Sequence, residues 1–385
     1  MIDSRFGDAT ASGASTLGGH TAGQLLRLCD VAGLDMADAG SYAQTLTDAL
    51  GPVAERPLDL PPPTPTFLSD DQTPVEFSLS FFPDAAPALR VLIEPGYGSA
   101  GLLQNGRTGL RVVREMARRW DFTTDRLDEL EDLFFPASPQ GPLTLWCALE
   151  LRPGGVPKLK VYLNPAASGT ERSAHTVREA LTRLGHPEAF ESLPPADGYP
   201  FLSLDLGDWE APRAKVYVRH PDLAATEAGL LSRADSGPSH TDVEEFFRTA
   251  AGLDADADVD AGDGADVRLD RRPVLTCHSF TDPASIVPSG FTLHIPVRDY
   301  VRHDGEALAR AETLLRRYGV DPAPLGRSLS AVTARRLEDG VGLIAYLALA
   351  HQQGRPPRVT AYISSEAYEV RPPAALESPR VEAVG

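Results

Sequence analysis

The stretch Leu159-Lys160-Val161-Tyr162-Leu163-Asn164-Pro165 decides how this chain is read. Alone it is an ordinary short strand. It recurs, however, as Ala214-Lys215-Val216-Tyr217-Val218, and more loosely as Val359-Thr360-Ala361-Tyr362-Ile363, Phe291-Thr292-Leu293-His294-Ile295 and Leu89-Arg90-Val91-Leu92-Ile93. Side chains in a strand alternate between two faces, so Lys160 and Tyr162 share one face while Val161 and Leu163 share the other. Each copy pairs a cationic or hydroxyl residue with a ring or apolar residue two places on, and the opposite face is apolar throughout. One such strand is the wet face of a two-layer sheet. Five in register suit a sheet whose apolar face is covered by helices and whose polar face lines an enclosed chamber.

Working outward, each copy is the second arm of a hairpin. Strands are expected at Val75–Phe82 and Leu89–Pro95, Leu143–Arg152 and Leu159–Leu163, Pro200–Leu206 and Ala214–Val218, Val274–Phe280 and Phe291–Val297, and Gly342–Ala350 and Val359–Ser364. Helical periodicity falls between them at Leu103–Trp120, Glu171–Leu184, Ala224–Leu231, Thr241–Gly252, Gly305–Tyr318 and Pro324–Arg336, and before them at Thr21–Ala32 and Ser41–Leu50. Hairpins make neighbouring strands antiparallel. The repeat, roughly 60 to 75 residues of ββαα type, therefore predicts an α+β fold. Ten antiparallel strands would close into a barrel, which removes exposed edges, with helices outside and a central solvent-filled lumen. The whole of 1–385 reads as one domain, with the barrel at about 74–366, N-terminal helices at 18–51 and flexible tails at 1–16 and 371–385.

Composition narrows the function. The net charge of −18 repels phosphate backbones, so nucleic acid is not an expected partner. No apolar run approaches the roughly 20 residues that span a bilayer. The N-terminus lacks a signal-peptide pattern, and Cys29, Cys147 and Cys277 are too widely spaced for a disulfide frame or zinc site. A cytoplasmic protein, monomer or homodimer, is expected. Against that acidic background, cations gathered on an inner face stand out. Arg90, Lys160, Arg213, Lys215 and Arg298 would converge there, which suits a diphosphate. Tyr162, Tyr217, His294 and Tyr362 would ring the adjoining space, and aromatic faces can shelter a carbocation. Glu76 shares the inner face with Ser78 and Ser80. Its carboxylate would either accept a hydrogen bond or act as a base there, or pair with one of the cations.

Two motifs point elsewhere and are set aside. Gly96-Tyr97-Gly98-Ser99-Ala100-Gly101 spells GxGxxG, but its strand is the second arm of a hairpin and not the start of a βαβ unit, so it reads as a turn. The run Asp254–Asp260 lacks the glycine and closing glutamate of a calcium loop and reads as a flexible insert. Asp70-Asp71 lacks the third aspartate of a DDxxD magnesium site, and no metal site is expected.

Taken together, Pro74-Val75-Glu76, Arg90, Lys160-x-Tyr162 and Arg213-x-Lys215-x-Tyr217 resemble the aromatic prenyltransferases of the dimethylallyltryptophan synthase group, over about Phe67 to Val370. In detail the chain looks most like the bacterial tryptophan 6-dimethylallyltransferases. The resemblance implies the ten-stranded barrel called the ABBA fold. It also implies transfer of a dimethylallyl group from dimethylallyl diphosphate, a co-substrate, to an indole carbon of L-tryptophan, C6 for preference, with no cofactor or metal required. It assigns the diphosphate to Arg90, Lys160, Arg213 and Lys215, with Thr292 in the fourth hairpin. It assigns the cation shield to Tyr162, Tyr217, His294 and Tyr362, and the indole N–H to Glu76, with Phe67, Leu68, Trp146 and Asn164 beside the ring. Thr292 and His294 depart from the Lys or Gln, then Tyr, usual in the family's fourth hairpin. The lysine that some fungal relatives use as a base has no counterpart near Trp146 or Cys147, so Glu76 and His294 stand as candidate proton acceptors. The alternatives are a same-fold enzyme for another acceptor, such as a cyclic dipeptide or a phenol, and a barrel that only carries a ligand.

Overall fold

The computed structural model describes residues 15–234, 237–252, 265–374 and 380–383. The acidic run read as an insert, 254–260, lies outside them, as does most of the expected N-terminal tail. Ten strands make a closed barrel. They are β1 (Val75–Phe81), β2 (Ala88–Ile93), β3 (Leu145–Glu150), β4 (Lys158–Leu163), β5 (Leu202–Leu206) and β6 (Ala214–His220), then β9 (Val274–Phe280), β10 (Gly290–Ile295), β11 (Ile344–Gln352) and β12 (Arg355–Ser364). Each strand is antiparallel to its neighbours, and β1 pairs with β12 to close the ring. Between β6 and β9, β7 (Leu223–Ala224) and β8 (Ala265–Leu269) form a small second sheet with β13 (Arg380–Ala383). That sheet was not anticipated, and it draws part of the stretch expected to be loose, 371–385, into an antiparallel pairing with β8.

The division of faces follows the alternation. Leu159, Val161 and Leu163 are fully buried in the large apolar layer between barrel and helices, together with Leu145, Cys147 and Leu149 of β3. Burial of branched and ring side chains at about 1.5–3 kcal/mol each makes this layer the main source of stability. The helix Leu102–Arg119 lies close over β3: a Cβ on Gly109 would come 3.1 Å from Leu145. The N-terminal helices, Leu17–Val31 and Met36–Leu50, start on the caps Thr16 and Asp35. Gln24 ties the first of them to the end of the barrel, donating to the carbonyls of Val332 and Ser365 while its own oxygen accepts from the Ser365 hydroxyl.

Several boundaries differ from expectation. The helix expected to reach Arg336 ends at Val332, because Arg335 turns in to a buried ion pair with Asp304 at 2.5 Å and Glu366 at 2.6 Å. The strand β12 starts at Arg355, four residues before its expected beginning, despite Pro356 and Pro357. Gly96–Gly101 is a turn, as read, and Gly96 has a packing reason: a Cβ there would lie 2.3 Å from the Asn105 carbonyl oxygen. Gly96→Ala should accordingly cost about 1–3 kcal/mol of stability in urea unfolding, the usual penalty for forcing an atom into a packed site.

Candidate active site

At one end of the lumen β2, β4, β6 and β12 present Arg90, Lys160, Lys215 and Arg358, joined by Arg213 immediately before β6. Two acids, the half-buried Glu150 and the buried Asp205, hold them in place. Arg90 donates from Nε to Glu150 Oε2 at 2.7 Å, with Nη2 also 2.7 Å away, and from Nη1 to Ser80 Oγ at 2.9 Å. Arg213 meets Asp205 Oδ2 at 2.5 Å and Gln352 Oε1 at 2.8 Å. Lys160 stands opposite Asp205 in the β4–β5 register. Trp209, on the loop between β5 and β6, lies against three cations, with Lys158 Nζ 4.8 Å, Lys160 Nζ 4.9 Å and the Arg213 guanidinium 4.9 Å from its ring centre. Its indole N–H donates to the carbonyls of Leu159 and Leu206, which fixes the ring. An opening lined by Arg90, Glu150, Lys158, Trp209, Arg213 and Arg358 leads out from this end.

Crowding and burial set the charge of this crown. Burial, then the proximity of Lys215 and Arg90, pushes the Lys160 ammonium well below its ordinary range. Burial and Arg213 bring Lys215 down to about 8. Burial opposes charge on Glu150 and Asp205, yet Arg90 and Lys160 overcome it at Glu150, and Lys160, Arg213 and Lys215 overcome it at Asp205, so both carboxyls sit below the usual range. The crown is thus short of negative charge, and an incoming polyanion would be stabilised by restoring full charge to its lysines.

Aromatic rings occupy the middle of the lumen. Contacts run from Trp146 to Phe201 (5.2 Å between centres), Phe201 to Tyr217 (5.6 Å), Tyr217 to Tyr162 (5.9 Å) and to His294 (5.7 Å), and His294 to Tyr362 (5.7 Å). Tyr346 joins at 6.3 Å from Tyr362. Burial raises the hydroxyl pKa of Tyr162, to about 12, and also that of Tyr217 and Tyr362, so the wall keeps its phenols neutral and offers π faces in place of nucleophilic phenolates. The His294 Nε2 lies 3.2 Å from the Tyr362 hydroxyl. Burial, with Lys215 and Arg358 adding to it, lowers His294 to about 3, so the ring is neutral and a weak base.

Glu76 sits at the other end, 6 % exposed, between Ser364 of β12 and Leu92 of β2. Among the described residues its carboxyl has no hydrogen-bond or ion-pair partner. Burial raises its pKa to about 8, with Arg298 opposing the shift and Asp70 adding to it. Phe67 and Leu68 lie near this half of the lumen: Leu68 is buried in one apolar cluster with Trp146, Phe201 and Tyr217, while Phe67 is 56 % exposed and stacks on Trp146 at 6.3 Å.

Most residues singled out in the sequence converge on this lumen, Thr292 among them, with two departures. Arg298 does not join the crown. The chain leaves β10 at Pro296 and turns into a short 3-10 helix, so Arg298 escapes the strand alternation and comes to Asp70 at 3.1 Å, beside Glu76. Asn164 is spent on structure, its amide donating to the carbonyls of Gln140 and Leu143 and accepting from the Ala166 N–H. Thr292 faces inward opposite Cys277 and Ala350 and brings no charge. Arg358, which was missed, lies two residues inward-facing from Thr360, so Arg358-x-Thr360-x-Tyr362 echoes Arg213-x-Lys215-x-Tyr217 and carried the signal. Glu150, Asp205, Phe201 and Tyr346 were also legible by alternation. Trp209 is on a loop and carried none. Among the described residues no group of three or more His, Cys, Asp or Glu is placed to hold a metal ion, the three cysteines are free and buried, and no helix is long and apolar enough to cross a membrane.

A lumen that can take a polyanion at one end, shelter a cation midway and meet an N–H donor at the other belongs to the barrel-type aromatic prenyltransferases. Comparison with known proteins specifies the family: residues 39–324 match tryptophan dimethylallyltransferase, and the chain belongs to that family. It is an enzyme, a tryptophan prenyltransferase. The 5-dimethylallyl tryptophan synthase of Streptomyces coelicolor, solved with tryptophan and a dimethylallyl donor analogue, is 68 % identical over 96 % of this chain and 100 % of its own, with a TM-score of 0.88. The prenyltransferase PriB, in a ternary complex with L-tryptophan and dimethylallyl thiolodiphosphate, is 62 % identical over 93 % of this chain and 98 % of its own, with a TM-score of 0.89. The 6-dimethylallyltryptophan synthase of Micromonospora olivasterospora is 38 % identical over 93 % of this chain and 99 % of its own, with a TM-score of 0.83.

Glu76 supplies a test of the geometry that does not depend on turnover. Its folded-state pKa of about 8 exceeds its ordinary 4.5, so folding takes up a proton between those values and the stability this contributes is lost as pH rises through 8. Glu76→Gln should therefore gain on wild type as pH is raised from 5 to 9, by roughly 2–4 °C in unfolding midpoint measured by calorimetry.

Proposed function

We propose that this enzyme moves the dimethylallyl group of dimethylallyl diphosphate to the benzenoid edge of L-tryptophan by electrophilic aromatic substitution, without a required metal ion. The observation that carries the reading is the polarity of the lumen: a charge-deficient cation crown at one end, an unpartnered carboxyl at the other, and neutral rings between. Arg90, Lys160, Arg213, Lys215 and Arg358 bind the diphosphate and stabilise the charge that builds on it as the allylic C–O bond breaks and the electron pair leaves with oxygen. Tyr162, Tyr217, Tyr346 and Tyr362 face the allyl cation and keep water from it. In the fraction ionised near its pKa of about 8, Glu76 accepts the indole N–H and raises electron density in the ring. A ring carbon then attacks the cation, and loss of its proton restores aromaticity.

Glu76 and His294 are the candidate proton acceptors beside the rings. Of these, the raised pKa of Glu76 makes it the stronger base, and the lowered pKa of His294 the weaker. For the ring position, the sequence resemblance pointed to C6. Greater identity to the relative named for C5, 68 % against 38 % for the relative named for C6, now favours C5.

Incubation with L-tryptophan and dimethylallyl diphosphate in excess chelator should yield a singly prenylated product by mass, with proton NMR placing the substituent. No product in chelator, restored by magnesium, would overturn metal independence. A cyclic dipeptide used in preference to free tryptophan would overturn the acceptor. Glu76→Ala should lower kcat by about 10²-fold or more while leaving the circular-dichroism spectrum unchanged. Because diphosphate would raise the depressed pKa of Lys215, its binding should take up protons, and its affinity should fall as pH rises above about 8. Calorimetric titration at pH 8.5 in two buffers of different ionisation enthalpy measures that uptake.

A further inference from the structure

Glu94 is a buried acid at the acceptor end of the barrel with no part in prenyl transfer itself. It follows Ile93, the last residue of β2, and is 5 % exposed. Ile93 pairs with Cys147, so one further step of that register sets Glu94 opposite Trp146, on the inward side of the alternation. On its other side the backbone N–H donates to the Pro74 carbonyl at 3.0 Å, two residues before Glu76. The carboxylate is surrounded by donors. Oε2 accepts from the Thr66 hydroxyl, and Oε1 accepts from the Asn105 amide at 2.6 Å. The Trp146 indole N–H, buried and without an aligned partner, lies close to the same carboxyl and favours its charge against the cost of burial. No ion pair reaches Glu94 among the described residues, so these neutral donors alone offset that cost.

Each donor brings a different part of the chain to one point. Thr66 begins the strap that crosses this end of the barrel. Its hydroxyl also accepts from the Leu68 N–H at 3.1 Å, and its own N–H donates to Gln72 Oε1 at 2.8 Å. Phe67 is thereby set on the Trp146 ring, and Leu68 in the cluster with Trp146, Phe201 and Tyr217. Asn105 adds the helix Leu102–Arg119 and, through the Thr144 hydroxyl that donates to its Oδ1, the start of β3. The backbone of Glu94 is thus tied to the strand that carries Glu76, and its carboxylate to the wall made by the strap and Trp146. We propose that Glu94 is a positioning residue that fixes the distance between Glu76 and that wall, and so selects which carbon of the acceptor ring meets the allyl cation. The inference rests on the reading that the indole lies against Trp146 with its N–H toward Glu76. Glu94 touches no reacting atom. Its leverage is geometric: neighbouring ring carbons differ little in place, and a displacement of about 1 Å changes a rate by as much as 10²-fold. A wall locked to the Glu76 strand presents one carbon and withholds its neighbours.

The test reads the ratio of prenylated tryptophan isomers, by chromatography and proton NMR, together with KM for each substrate. The wild type should give one dominant isomer. Thr66→Val, which exchanges a hydroxyl for a methyl group, and Glu94→Ala should each lower the ratio of major to minor isomer by about 10-fold or more, the worth of a hydrogen bond to a charged group. KM for L-tryptophan should rise, while KM for dimethylallyl diphosphate stays within about threefold, because the crown lies at the other end. Glu94→Gln keeps an acceptor for Thr66 and should recover most of the selectivity. A merely structural role would lower stability and turnover without moving the isomer ratio. Variants that prenylate tryptophan with the wild-type ratio would therefore overturn the inference and leave the prenyl-transfer reading intact. A wild type that already yields a mixture would do the same. A wild type that prenylates no indole would overturn the reading and the inference with it. Thr66→Val decides the matter if Glu94→Ala does not fold.

Discussion

Mutual repulsion among cations buried at one end of a barrel is the constraint around which this molecule is built. Arg90, Lys160, Arg213, Lys215 and Arg358 crowd together there and need counter-ions to carry their charge side by side. Glu150 and Asp205 provide some, each held in its ionised form by the cations it serves. The face of Trp209 lends a little more. The remainder is unmet, and burial, with the neighbouring cations adding to it, loosens the hold of Lys160 and Lys215 on a proton. The empty crown is therefore preorganised in geometry and under-charged in composition. A diphosphate supplies what is missing, and supplies more of it as its bridging bond breaks and negative charge accumulates on the leaving oxygen.

The opposite end obeys the reverse logic. Glu76 lacks a partner, and burial keeps it close to neutral near physiological pH. Arg298 and Asp70 lie beside it with donors and an acceptor unspent. Between the two ends, neutral phenols and a neutral imidazole separate regions whose charges would otherwise cancel across the lumen. Separation matters for chemistry. Were Glu76 paired with a lysine of the crown, it could neither polarise an indole nor take its proton, and the crown would lose affinity for phosphate.

The fold was largely legible because a barrel strand imposes period two on its sequence, and Lys160/Tyr162 against Val161/Leu163 shows that period plainly. The five hairpins followed, and with them the inward direction of Glu76, Arg90, Lys160, Lys215, Tyr162, Tyr217 and Tyr362. What escaped lies where the period ends or is masked. Arg358 precedes Val359 on a strand whose beginning is disguised by Pro356 and Pro357, residues that ordinarily exclude a strand. Arg298 follows Pro296 into a 3-10 turn, where alternation no longer applies. Trp209 reaches the crown from a loop, and Asn164 serves the turn after β4. The acids Glu150 and Asp205 resemble surface hairpin charges until the ring is closed and their cross-strand partners are known.

Closure itself has a consequence for how the protein is made. The ladder runs through consecutive neighbours around most of the ring, but its last seam joins β1 to β12, where the hydroxyls of Ser80 and Thr360 meet across 280 residues of chain. Pairing at that distance must overcome a large loop-closure entropy before it is rewarded, which places it late in folding and makes folding slow. Until the seam forms, β1 and β12 are open edges, and Glu76 faces water instead of Ser364. A chain still emerging from the ribosome can therefore bury its hairpins against helices one after another, but it acquires a lumen only after its final hairpin is released. Activity is consequently a property of the finished ring and cannot accumulate in stages.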